Sequence, residues 1–282
     1  MLLHLLQTLA ASPTLAEGIA PPGLLHPTEQ AHLDAFRVVK RRRDWLLGRW
    51  TAKHLVQQYL MQIQGGETQG GETQGGETQG GETQGGETQG GETQGGETPP
   101  LRAILILAAP DGAPYAALAD NATRNTQHAI TNLQSPISTL PLSLSISHSA
   151  DRAFCALTDE PETTVGADIE RIEPREPGFV EQFFTPAEIA AVGAVPPDQR
   201  DTLITAIWSA KEAVLKALRV GLRADTRLLT CCFPSPLAPS DGWGVFRTQC
   251  DASLLSIDQP FEINGWWRCD DGFVMTLATI AN

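Results

Sequence analysis

Apolar residues in this chain recur with two periods, and the alternation of those periods gives the first outline of the molecule. Between Thr28 and Leu60 the spacing is helical. Pro27-Thr28-Glu29 opens one helix, and a second runs through residues 40–53, with Leu46, Leu47, Trp50 and Leu55 on one buried face. A longer helical run covers about residues 198–220, where Trp208, Leu215 and Leu218 share a face with Val214 beside them. Between these lie runs with strand composition. Arg102–Ala108 predicts a buried strand, and Leu142–Ser147, Ala153–Thr158 and Thr163–Glu170 predict central ones. Arg227–Phe233, Trp243–Thr248, Phe261–Arg268 and Phe273–Ile280 predict a second sheet. Phe179–Phe184 reads as a short helix. Thr185-Pro186-Ala187-Glu188 then starts another, with Thr185 as cap, Pro186 at the first helical position and Glu188 completing a capping box. Asp111–Tyr115 is a turn by composition, and residues 116–140 read as an irregular insertion. The class is mixed α and β.

A chain of 282 residues suffices for one large domain or two lobes sharing a core. Its formal charge of −13 changes that picture little. Residues 64–98 are seven uninterrupted copies of Gln-Gly-Gly-Glu-Thr, and without their seven glutamates the rest carries about −6. The repeat has no apolar residue to offset its ordering entropy, so it predicts a disordered surface insertion, and its period of five is too short for a solenoid. Five cysteines, Cys155, Cys231, Cys232, Cys250 and Cys269, are scattered without metal spacing and read as reduced thiols. The opening Met1–Leu6 has no Lys or Arg, and no apolar run approaches the roughly eighteen residues of a membrane span. The expectation is a cytoplasmic protein with no membrane partner.

Three clusters carry candidate chemistry. On a strand through Val165–Arg171, Asp168 and Glu170 share one face while Ile169 points to the other, and Gly166 admits close approach of a backbone or ligand. Two neighbouring carboxylates repel unless a cation neutralises them. A hard divalent ion such as Mg²⁺ suits them, and a solvated strand end without metal is the alternative. Glu212 and Lys216 lie one helical turn apart, which by itself describes an ordinary surface ion pair. The basic run Lys40-Arg41-Arg42-Arg43, continued by Arg49, suits polyphosphate, nucleic acid or a merely solvated helix end.

Taken together, these motifs resemble the 4′-phosphopantetheinyl transferase superfamily. Gly166-Ala167-Asp168-Ile169-Glu170 followed by Trp208-Ser209-x-Lys211-Glu212-Ala213-x-x-Lys216 is similar to the two signature motifs. Ser145-Ile146-Ser147-His148-Ser149 resembles a third, with Ser145 in place of the usual Asn, and residues 42–53 resemble a basic element near the start of the two-lobed, Sfp-like branch. The chain departs from the pattern at Ala113, where the family has a turn lysine, and at Arg219, where it has glycine.

The resemblance implies a fold of two similar α/β lobes related by a pseudo-twofold. Residues 1–63 and 99–160 would form the N-terminal lobe and 161–282 the C-terminal one, with coenzyme A between them. It implies Mg²⁺-dependent transfer of phosphopantetheine from coenzyme A to a serine of an apo acyl or peptidyl carrier protein by a monomer, with no nucleic acid as partner. Asp168, Glu170 and Glu212 would hold the metal. Arg43, Arg49, His148, Asp168 and Lys216 would hold coenzyme A, and Asp168, Glu212 and Lys216 would be catalytic. The base for the serine would be Glu212 or a water on the ion. Lys211 would reach the site or form a structural ion pair. A coenzyme A-binding protein without transfer activity is the competing expectation, motivated by Ala113 and Arg219.

Overall fold

The computed structural model describes residues 1–66, 98–119, 137–234, 242–251 and 262–281. The predicted disorder of the repeat falls mostly outside these residues, but its first three, Gln64 to Gly66, continue a helix.

The chain opens with strand β1 (Leu2–Thr8) and three helices, α1 (Pro13–Ala16), α2 (Pro27–Asp34) and α3 (Val39–Gly66). Strands β2 (Ile104–Ala108), β3 (Pro114–Ala119) and β4 (Ile137–Thr139) pair in order as one small sheet. Here the expected irregular insertion is corrected. The Asp111–Tyr115 turn is a hairpin, in which Gly112 at φ +91° lets the chain fold straight back, so that strand β3 begins at Pro114. Residues 120–136, the rest of the expected insertion, lie outside the described residues.

Next come β5 (Ser143–Ser149), β6 (Arg152–Thr158) and β7 (Thr163–Arg171), then helices α4 (Phe179–Phe183), α5 (Pro186–Ala194) and α6 (Pro197–Ala217). Strands β8 (Leu229–Cys232), β9 (Gly244–Cys250), β10 (Glu262–Asp270) and β11 (Phe273–Ala281) complete the described chain. A three-stranded sheet has the order β1-β6-β5, and a five-stranded sheet the order β7-β11-β10-β9-β8, all antiparallel.

The two sheets pack face to face between two long helices, and the central strands show why. In β6, Cys155 and Leu157 pack toward α3 with Leu55 and Val56, while Phe154 and Ala156 pack toward the other sheet. In β11, Val274, Ala278 and Ile280 pack toward α6, while Phe273, Met275 and Leu277 meet Phe154 and Ile169 in the middle layer. The period of two thus feeds apolar side chains to both faces, which is what a strand buried on both sides requires. Each large apolar side chain so buried contributes about 1.5–3 kcal/mol.

Each long helix carries a buried lysine that anchors a preceding helix. Lys53 of α3, fully buried, pairs with Glu29 of α2 and donates to the carbonyls of Leu24 and Leu101 at 2.8 and 3.3 Å. Glu29 also accepts from the amide of Ile106 on β2 at 3.1 Å. Lys211 of α6, equally buried, pairs with Glu188 of α5 at 2.9 Å and donates to the carbonyls of Thr226, at 2.8 Å, and Leu229. Glu188 also accepts from the amide of Cys231 on β8 at 2.7 Å. Both glutamates close capping boxes behind a proline at the helix start, as predicted for Thr185–Glu188. Around the two lysines the sequence repeats itself, Trp50-Thr51-Ala52-Lys53 against Trp208-Ser209-Ala210-Lys211. Among the described residues, no helix is long and apolar enough to cross a membrane.

Candidate active site

Strand β5 runs beside β7 although the two belong to different sheets, and serine hydroxyls join them. The hydroxyls of Ser143, Ser145 and Ser149 accept from the amides of Val165, Ala167 and Arg171 at 2.9, 2.9 and 3.2 Å. Alternation along β5 puts Ser147 on that same face, where its hydroxyl donates instead to Asp168 Oδ1 at 2.8 Å. The serine standing where the resemblance expects Asn, Ser145, is therefore a structural link.

Helix α6 supplies the other wall. It crosses β7 at Gly166, and Lys216 reaches down from its last turn. The Lys216 ammonium donates to Asp168 Oδ1 at 2.7 Å, to Ser147 Oγ at 3.1 Å and to the Ala167 carbonyl at 3.2 Å. Asp168 is 3% exposed, so the solvated strand end is not what forms here. Its Oδ1 is fully engaged, whereas its Oδ2 is buried with no partner among the described residues.

Glu170 and Glu212 are partly buried close by. Burial first, and then the charge of Asp168, push the Glu170 carboxyl up, against the opposing pull of Arg175, whose Nη2 lies 3.1 Å from Glu170 Oε2. Burial and Asp168 likewise push Glu212 up to about 7, with Lys216 acting in the opposite sense. Three carboxyls that disfavour one another's charge make an environment that a cation would relieve. No three His, Cys, Asp or Glu side chains among the described residues stand as a ready ion cage. The donors nevertheless suit a hard divalent cation, which takes one or two carboxylates and fills its shell with phosphate oxygens and water. The orphaned Oδ2 of Asp168 is a free oxygen ligand of that kind.

The remaining expected residues lie on the other side of β5. His148 is exposed at the strand's end, where nearby protein disfavours its protonated form and Asp44, Lys40 and Lys216 act on its charge. The basic start of α3 divides by role. Lys40 pairs with Asp44 at 2.7 Å, and Arg42 donates to the carbonyls of Gly18 and Leu33, both structural contacts. Arg43 and Arg49 each keep a buried, unpartnered Nε, and the Arg49 guanidinium lies 4.7 Å over the Trp45 ring. Burial lowers the pKa of Arg49, so an anion there would be doubly favourable.

Sequence reasoning assigned no task to Ser147 or Arg175, and left Lys211 between two. The signal for Ser147 was the period-two serine pattern of β5. Lys211 lies in the core, away from the carboxyl cluster. The two departures, Ala113 and Arg219, meet in space: Arg219 Nε is 3.2 Å from Asp111 Oδ2, in the same turn as Ala113.

Comparison with known proteins covers part of the chain. A 77-residue stretch is 35% identical to the 4′-phosphopantetheinyl transferase of Bacillus subtilis, covering 27% of this chain and 33% of that protein. A 79-residue stretch is 40% identical to the 4′-phosphopantetheinyl transferase AcpT of Escherichia coli (strain K12), covering 27% of this chain and 40% of that protein. The chain thus spans well under two thirds of the length of either curated relative. A solved structure described as a Chronobacterium ammoniagenes ACPS-CoA complex is similar at 19% identity and a TM-score of 0.34, over 42% of this chain and 96% of that one. Residues 164–264, which contain Asp168, Glu170, Glu212 and Lys216, match the family model described as the 4′-phosphopantetheinyl transferase superfamily.

Proposed function

We propose that this chain transfers the 4′-phosphopantetheine group from coenzyme A to a serine hydroxyl of an apo acyl or peptidyl carrier protein. The observation that carries this reading is the cluster around Asp168: one carboxylate oxygen tied to Lys216 and Ser147, the other buried and free, and two further carboxyls raised beside it. Asp168, Glu170 and Glu212 would hold Mg²⁺. When bound, the ion supplies positive charge to the pyrophosphate and eases departure of the leaving group.

In the reaction, the serine oxygen forms a bond to the phosphorus that bears the pantetheine arm. The bond from that phosphorus to the bridging oxygen breaks, and adenosine 3′,5′-bisphosphate leaves. Glu212, on the partly exposed side of α6, is the base we assign to the serine proton. Lys216 adds positive charge where it develops on the phosphates, and Ser147 holds Lys216 and Asp168 in register. Coenzyme A would lie in the cleft beside α6, with Arg43, Arg49 and His148 on its phosphates. The twofold relation of two lobes belongs to this proposal, supported by the repeated Trp-Thr/Ser-Ala-Lys segments and their matching buried ion pairs. So do a monomeric state and a cytoplasmic location.

The test is intact-mass spectrometry of apo carrier proteins incubated with the chain, coenzyme A and Mg²⁺, beside an EDTA control. A gain of one phosphopantetheine mass that EDTA abolishes is the expected result. Binding of coenzyme A without transfer to fatty-acid, polyketide or peptide carriers would favour a coenzyme A-binding protein instead.

A further inference from the structure

A cavity of about 760 Å³ opens between the end of α6, the β2–β3 turn and the first residues of β5 and β7. Its lining holds three cations, Lys216, Arg219 and Arg223, while Asp159, Glu160 and Glu162 stand elsewhere on it. An anionic ligand in this cavity must therefore be held from the α6 side.

Two of the three cations are already committed. Lys216 spends its three donors on Asp168, Ser147 and Ala167. Arg223 donates to the carbonyls of Val220 and Arg219, at 3.1 and 3.5 Å, just past the end of α6. Arg219 is different. Its one polar side-chain partner among the described residues is the Asp111 carboxylate, 3.2 Å from its Nε, and the two side chains are 48% and 33% exposed. The pair reaches solvent and can be exchanged. Arg219 also stands at φ +60°, a left-handed conformation that favours glycine. That conformation closes α6 in a Schellman cap, with the amides of Arg219 and Val220 on the carbonyls of Lys216 and Leu215, and so fixes the side chain at the cavity rim.

We propose that Arg219 is a substrate-binding residue whose guanidinium takes a phosphate of the ligand. Asp111 holds the arm in position until that phosphate displaces its carboxylate. Guanidinium accepts a phosphate as readily as a carboxylate, and the single Nε–Oδ2 contact to Asp111 leaves its other N–H groups free to turn to the phosphate. The inference rests on the transferase reading, which makes coenzyme A the ligand.

Calorimetric titration of the full chain with coenzyme A tests it. Arg219→Gln keeps a non-glycine residue at the left-handed position but removes the charge and the reach of the arm, and is expected to weaken binding about tenfold. Arg219→Lys keeps the charge and should recover at least half of that loss on a logarithmic scale. Arg219→Gly relaxes the backbone and should weaken binding as Gln does, which separates lost charge from misfolding. Asp111→Asn removes the competing carboxylate and should tighten binding. Wild-type affinity in Arg219→Gln, or weakened affinity in Asp111→Asn, would overturn the assignment. A wild-type chain that does not bind coenzyme A would instead overturn the transferase reading, and this inference with it.

Discussion

A β-carbon added at Gly166 would stand 1.8 Å from the carbonyl oxygen of Ala213 and 2.8 Å from the amide of Ala217. Strand β7 and helix α6 therefore touch backbone to backbone, and this contact sets Glu212 and Lys216 against Asp168. Gly166→Ala must push the helix off the strand. Because backbone cannot swing aside as a side-chain tip can, we expect a loss of about 3 kcal/mol or more in denaturant unfolding. Gly48→Ala is the control. Its new β-carbon would meet only the Ile146 side chain, at 3.2 Å, and should cost less than about 1.5 kcal/mol.

Asp168→Asn preserves shape and the bond from Ser147 while removing the charge. Transfer should fall by at least about a hundredfold, and calorimetry should show loss of divalent-cation binding with the circular dichroism unchanged. Wild-type turnover in this variant would remove Asp168 from the metal set.

The two lysines of one helix should behave as opposites. Lys211→Met leaves Glu188 charged and buried, and unfolding should lose about 3–5 kcal/mol. Adding Glu188→Gln should return part of it, with a coupling of about 2 kcal/mol in a double-mutant cycle. Lys216→Met should lose most turnover and a smaller share of stability, because its own side chain is 27% exposed although the Asp168 carboxylate it leaves is buried. Equal stability losses in the two variants would contradict this division.

Glu212 gives a pH signature. Its carboxyl is held up at about 7 in the fold against 4.5 for the ordinary group, chiefly by burial. Between those values the folded chain binds more protons than the unfolded one, so stability attributable to this group falls as pH rises through the window. Without divalent cations, Glu212→Gln should match wild type near pH 4 and exceed it by about 2 kcal/mol at pH 8. Parallel stability curves for the two proteins would show that the carboxyl is not held up.

Most of the strands and the capping box at Thr185–Glu188 were legible in the sequence, because each rests on local spacing, whereas the grouping of Asp168 and Glu170 with Glu212 and Lys216 came from the family resemblance. Gly166 was legible as a point of close approach, though not which backbone would approach. What stayed hidden depends on distant partners. Ser147 gains its task from Asp168 and Lys216, which only the packing of β5 on β7 brings near. Arg219 and Asp111 belong to a helix end and a hairpin more than a hundred residues apart in the chain. The hairpin's turn was legible, but its second strand from residue 116 onward was read as an irregular insertion, since Pro114–Ala119 is short and weakly patterned. The expected three-carboxylate metal set is only partly drawn: the side chains share a charge environment without closing into a cage.

The buried lysines mark where the signature segment passes from holding the helix to facing the carboxyl cluster. Trp208, Ser209, Ala210 and Lys211 have counterparts in Trp50, Thr51, Ala52 and Lys53, where the next residue is His54 rather than a glutamate. Nearly the same four residues fold each helix onto its sheet through a buried lysine, with a glutamate following in one case and a histidine in the other. The boundary between what holds the helix in place and what faces the carboxyl cluster thus falls between two neighbours, Lys211 and Glu212.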